Sequence, residues 1–218
     1  MISNKHFGII LVGLFFILAF SILSYALADG DIIVADPTSD RIISVTPTGD
    51  QSQIVYGNLL FSVGSFQVAD VAVSPAGEIF FVDSHAFGGP GGIFKIVAPN
   101  QAPLQYFSHP DFVDPNGIAI DKDGNIIVAD MSAFGGNGAI FKVVNSSPPT
   151  LEVIARGDTL GAVLVDPTRV AIDANGNYIV VDISAGGIST PFGPSGAIIK
   201  VTPSGTQSKL FEGDFDAD

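Results

Sequence analysis

The 218-residue chain has no cysteine and no tryptophan, only two methionines and three histidines. Without cysteine there is no disulfide and no thiolate metal site, so stability in an oxidising compartment rests on an apolar core alone. Basic residues are scarce too: nine Lys and Arg stand against 22 Asp and Glu, a formal net charge of −13. That balance argues against nucleic acid as a partner, because a phosphate backbone is held by clustered cations. The acidic residues are spread over turns rather than gathered in a run, a pattern that serves solubility rather than one cationic ligand. Beyond residue 28 no segment shows the 3.6-residue apolar spacing of a helix.

The one long hydrophobic run opens the chain. Lys5 precedes an almost wholly apolar stretch from Phe7 to Leu23, and Ala26-Leu27-Ala28 supplies a small-residue cleavage pattern. Residues 1–28 therefore read as an export signal, either removed or kept as a membrane anchor, since about 20 apolar residues span a bilayer. Both readings place residues 29–218 outside the cytoplasm, secreted, periplasmic or at the cell surface, with membrane contact only through the N-terminal segment.

The rest of the chain is repetitive. Val71-Ala72-Val73-Ser74-Pro75-Ala76-Gly77-Glu78-Ile79-Phe80-Phe81-Val82-Asp83 recurs as Ile118 to Asp130 and Val170 to Asp182, and Asp31 to Asp36 is a partial fourth copy. A period near 47 residues marks small units that bury their apolar faces only against one another. Within each unit two β-branched runs flank a polar turn such as Asp121-Lys122-Asp123-Gly124-Asn125, the pattern of an antiparallel hairpin. A third run follows at Arg41, Gly92, Ala139 and Ala197, and a weaker fourth at Gln53, Leu104, Leu151 and Gln207. Four antiparallel strands per period predict an all-β propeller with blades at about 29–57, 66–108, 115–156 and 167–213. About four blades, the first without its inner strand, imply an arc that is open, part of a longer propeller, or paired with a second copy.

The segment Pro115-Asn116-Gly117-Ile118-Ala119-Ile120-Asp121-Lys122-Asp123-Gly124-Asn125-Ile126-Ile127-Val128-Ala129-Asp130 resembles the NHL repeat. It is also similar to the blades of gluconolactonase-like (regucalcin-like) and virginiamycin B lyase-like propellers. The resemblance implies six blades in a complete propeller and, in the enzymes, a divalent cation such as Ca²⁺ at the channel mouth. Asn116 matches one ligand position of that site, whereas the corresponding residues of the flanking blades are Ala69 and Thr168. A lyase would need a general base, for which the sequence outside the leader offers only His85 and His109.

The four aspartates at 36, 83, 130 and 182 recur once per unit, which suits a structural task repeated in every blade: accepting backbone N–H groups at the strand-to-loop turn. The loops after them differ most between units, and with Asn116 they are expected to share one rim of the channel. Phe87, Phe134 and Phe192 on these loops would either face a ligand or anchor Gly-rich turns. The functional expectation is an exported module that binds a protein, glycan or small molecule through Phe87, Asn116, Phe134 and Phe192. A metal-dependent hydrolase or lyase whose site is partly missing from this chain is the alternative. Asn145-Ser146-Ser147 fits an N-glycosylation sequon.

Overall fold

A computed structural model describes residues 28, 30–56, 67–86, 89–186, 189–190 and 193–213 of the chain. It is all-β. The first sheet contains β1 (Ile32–Asp36), β2 (Arg41–Val45) and β3 (Gln51–Tyr56), and the second β4 (Val68–Val73), β5 (Ile79–Asp83), β6 (Gly92–Ile96) and β7 (Leu104–Phe107). The third consists of β8 (Pro115–Ile120), β9 (Ile126–Asp130), β10 (Ala139–Val144) and β11 (Thr150–Arg156). The fourth starts with β12 (Pro167–Ile172) and β13 (Tyr178–Asp182). A two-stranded ribbon, β14 (Ser189–Thr190) with β15 (Gly193–Pro194), interrupts it before β16 (Gly196–Val201) and β17 (Gln207–Gly213). Every pairing among the described residues is antiparallel and, apart from β13 with β16 across the ribbon, joins neighbours in sequence, the meander of a propeller blade.

The hairpin turns form as their residues require. Asp121 Oδ1 accepts the N–H groups of Asp123 and Asn125, both at 2.9 Å, and Oδ2 accepts Asn125 Nδ2 at 2.7 Å. Gly124 takes a φ of +81°, a left-handed conformation that a side chain would strain. Asp173-Ala174-Asn175-Gly176-Asn177 repeats the arrangement, and Ser74 Oγ serves in the turn before Glu78.

The blades stack because their strands are apolar on both faces. In the second blade Ile79, Phe81 and Phe94 pack against Ile42 and Val55 of the first, while Phe80, Val82 and Ile93 join Ile126, Val128 and Phe141 of the third. In the third blade the alternate residues Ile127, Ala129 and Ile140 meet Tyr178, Val180 and Ile199 of the fourth. Period-two alternation in a strand buried on both sides thus sends one residue set to each neighbour. The innermost strands β4, β8 and β12 lie side by side, and β1 stands next to β4.

Among the described residues the one α-helical element is the four-residue turn Ala133–Gly136, in which Phe134 itself adopts a left-handed φ of +52°. Helix was not expected anywhere beyond the leader, and this single irregular turn follows from the Gly135-Gly136 pair. The expected export signal, residues 1–28, lies outside the described residues except for Ala28.

Candidate functional site

Each complete blade ends its second strand at one rim with a fully buried aspartate. Asp130 Oδ2 accepts Val113 N–H at 2.8 Å, and Oδ1 accepts Asp114, Ser132 and Ala133 N–H at 3.1, 3.1 and 2.9 Å. Asp182 holds Val165, Asp166 and Ser184 in the same way, at 2.8, 3.1 and 3.1 Å. One carboxylate therefore fastens both the segment entering the inner strand and the loop leaving the second. Asp83 is the exception: Oδ1 accepts His85 N–H at 2.8 Å, while Oδ2 makes no hydrogen bond to a described residue, the Gln67 and Ala86 N–H groups acting on the carboxylate only more weakly. Burial pushes its carboxyl up to about 6, opposed by backbone N–H groups including that of His85. Burial also raises Asp130 and Asp182 against the pull of their N–H donors. In the first blade Asp36 takes Ser39 N–H at 3.2 Å and Arg41 Nε at 2.8 Å.

The inner strands begin at the same rim, each with a one-residue bulge. Register shifts between Val68 and Asp70, Pro115 and Gly117, and Pro167 and Arg169 leave Ala69, Asn116 and Thr168 as the extra residues. A bulge re-aims its side chain and ends regular pairing. Asn116 Nδ2 donates to Asp114 Oδ1 at 2.8 Å and Asp114 O at 3.2 Å, and Thr168 Oγ1 donates to Val181 O at 3.3 Å.

Two residues that sequence reasoning passed over join the inner strands. Asp70 reaches from β4 to accept Ile118 N–H of β8 at 3.1 Å, and burial raises its carboxyl. Arg169 reaches back from β12, its Nη1 donating to Asn116 O at 3.0 Å and Thr168 O at 2.8 Å. Gly117, which aligns with Asp70 and Arg169, permits the approach: a Cβ there would lie 2.8 Å from Arg169 Cα. Charge at a position that is glycine in the best-formed repeat was the available signal.

Of the expected rim residues, Asn116 lies at the inner strand ends, whereas Phe87 and Phe192 fall outside the described residues. Phe134 packs on Phe141, ring centroids 5.8 Å apart, beneath the Arg156 guanidinium, whose carbon lies 3.7 Å from its ring centroid. The ring is thus an apolar anchor at the seam with the second blade. Arg156 is fixed in turn by Asp158 through Nε at 2.8 Å and Nη2 at 2.5 Å. His85 Nδ1 lies 2.8 Å from Ser84 Oγ, and His109 stacks on Phe107 with its Nδ1 accepting Asp111 N–H at 3.3 Å.

The frame of inner strands bridged by side chains, with paired loops at one rim, matches proteins of known fold. Residues 112–142 match the NHL repeat. No curated protein sequence matches the chain significantly. Among solved structures, the chain is similar to a gluconolactonase of Xanthomonas campestris, with 15% identity over 86% of this chain and 60% of that one and a TM-score of 0.57. Virginiamycin B lyase of Staphylococcus aureus has 16% identity over 88% of this chain and 55% of its own, with a TM-score of 0.56. Regucalcin of Agrobacterium tumefaciens, a calcium-binding protein, has 15% identity over 87% and 58%, with a TM-score of 0.55. At such identities the likeness establishes the β-propeller fold, and the chain spans less than two thirds of each of these structures.

A divalent cation does not fit the donors that the described residues place at this rim. Among the described residues no three His, Asp or Glu side chains gather as ligands. Asn116 turns its amide nitrogen to Asp114, the equivalent residues are Ala69 and Thr168, and the Arg169 guanidinium beside Asn116 would repel a cation.

Proposed function

We propose that this chain is an exported propeller module that binds a protein, glycan or small molecule at the rim bearing Asn116 and Arg169. Export is supported by the leader, with Lys5 before the apolar run and Ala26-Leu27-Ala28 behind it. The observation that carries the binding role is Arg169. Two backbone carbonyls hold its Nη1, while Nε and Nη2 make no hydrogen bond to a described residue and the side chain stays exposed. A planar donor set held in one orientation on a rigid strand suits a ligand carrying a carboxylate or other planar acceptor. The alternative, a metal-dependent hydrolase or lyase, draws on the Asn116 position and on the activities of the similar structures.

Thermal unfolding with millimolar Ca²⁺, Mg²⁺ or Zn²⁺, beside an assay of glucono-δ-lactone opening, separates the two. The binding reading expects no metal-dependent rise in Tm and no lactone turnover. It also expects acetate or gluconate to shift the amide resonances of Asn116, Ile118 and Arg169, and Arg169→Ala to abolish that shift. A Tm rise that Asn116→Ala removes, or lactone opening above background, would decide for the enzyme. Fractionation of cells producing the full chain tests export, and a cytoplasmic product would refute it.

A further inference from the structure

The opposite face of the arc, where the hairpin turns project, carries two clefts between blades. One of about 320 Å³ lies between the second and third blades and includes Phe80, Tyr106 and Lys95. The other, of about 540 Å³, lies between the third and fourth and is walled by Ile120, Ile172 and Pro203. Both include the turn tip Lys122-Asp123, so they meet there.

The larger cleft contains a polar group that the fold leaves unused. Tyr178 lines it with only 3% of the residue exposed, its ring packed in the core between the third and fourth blades. Its hydroxyl makes no hydrogen bond to any described residue and is not one of the enclosed polar atoms, so it opens onto the cleft, free to pair with a ligand. Burial raises its titration, with Asp121 and Glu152 adding to the effect. Lys142 also has spare donors, since its one ionic contact among the described residues, Asp121 Oδ2, is 3.6 Å away.

The carboxylates, by contrast, are already engaged by their own turns and by Lys122. Asp121 and Asp173 each take two turn N–H groups and an Asn amide, and Asp123 takes both contacts from Lys122, at 2.7 and 2.9 Å. Three carboxylates and two ammonium groups leave the lining slightly acidic, which disfavours an anion, while the filled carboxylates provide no seat for a bare cation. A neutral ligand with several acceptor oxygens and an apolar face remains.

We propose that this cleft binds a neutral saccharide, its ring C–H face against Ile120, Ile172 and Pro203 and its hydroxyls on Tyr178 and Lys142. The site is separate from the rim. Asp182 closes the strand that Tyr178 opens, four residues on and about 14 Å away.

Calorimetric titration and saturation-transfer NMR of the full chain with cellobiose, maltose, lactose, xylobiose and N,N′-diacetylchitobiose test the assignment. At least one should bind, and Tyr178→Phe should weaken it by up to about tenfold, the effect of losing one neutral hydrogen bond. Ala174→Phe, on an exposed turn position lining the cleft, should block binding without disturbing the core. Arg169→Ala should leave sugar affinity unchanged, so failure here and failure at the rim are distinguishable. The assignment falls if none of the five sugars binds, if both cleft variants bind as well as the parent, or if gluconate or an extended peptide occupies the cleft in place of a neutral sugar.

Discussion

Replacing Asp130 by alanine tests the principle on which the rim is built. The side chain is fully buried and accepts four backbone N–H groups, two from the segment entering β8 and two from the loop leaving β9. Removal leaves those donors without a partner, each costing about 1–3 kcal/mol if it stays dry. If water reaches two of the four, the loss is about 4 kcal/mol. For a chain of this length that corresponds to a Tm lower by roughly 10 °C. Asp130→Asn retains one acceptor oxygen but sets an NH₂ against N–H donors, so it should fall between parent and alanine variant. Urea unfolding measures the loss, with Asp123→Ala, largely exposed, as a reference expected within about 0.5 kcal/mol of the parent. Amide exchange locates it, since Val113, Asp114, Ser132 and Ala133 should lose protection before the core of β9. An alanine variant as stable as the reference, or a loss spread evenly over the blade, would refute the clamp.

Gly117→Ala should be nearly as damaging as a core defect, about 2–3 kcal/mol. Its Cβ would meet backbone, 2.8 Å from Arg169 Cα and 2.9 Å from Thr168 O, and β12 has no flexible side-chain end there to move aside. A stability within about 0.5 kcal/mol of the parent by urea unfolding would count against the close approach of β8 and β12. Asp83 predicts a pH effect of definite sign. Its folded carboxyl is raised to about 6 from an ordinary 3.8, so the native state binds the proton more tightly than the unfolded chain. Its contribution is full below about pH 4 and is lost as pH rises through about 6. Asp83→Asn should flatten the parent's stability over that interval, compared by unfolding at each pH, and an unchanged slope would contradict the burial of an underbonded carboxylate.

The blades were legible because each local rule pointed the same way. Asp121-Lys122-Asp123-Gly124-Asn125 can hardly avoid its turn, with Gly124 free to take positive φ and Asp121 placed to bind the N–H groups ahead of it. The aspartates at the strand ends announced a structural role by recurring, and the hydrogen bonds of Asp130 and Asp182 bear that out. The rim was harder to read. From its loop Phe134 was expected either to face a ligand or to anchor a Gly-rich turn, and Phe141 and Arg156 enclose it as an anchor. Asp70 and Arg169 drew no attention because their partners lie 48 and 53 residues away, beyond any local pattern.

Strand, turn and repeat arise from short-range chemistry: alternation of apolar side chains, a glycine at the corner, a carboxylate within reach of its own backbone. The sequence alone therefore determined the blade and its tandem stacking. Which side chains meet across blades depends on how the stacked sheets turn about their axis, a property of the assembled array rather than of one repeat. Only the tertiary structure could set Arg169 against Asn116, or leave the hydroxyl of Tyr178 facing a cleft between two turns.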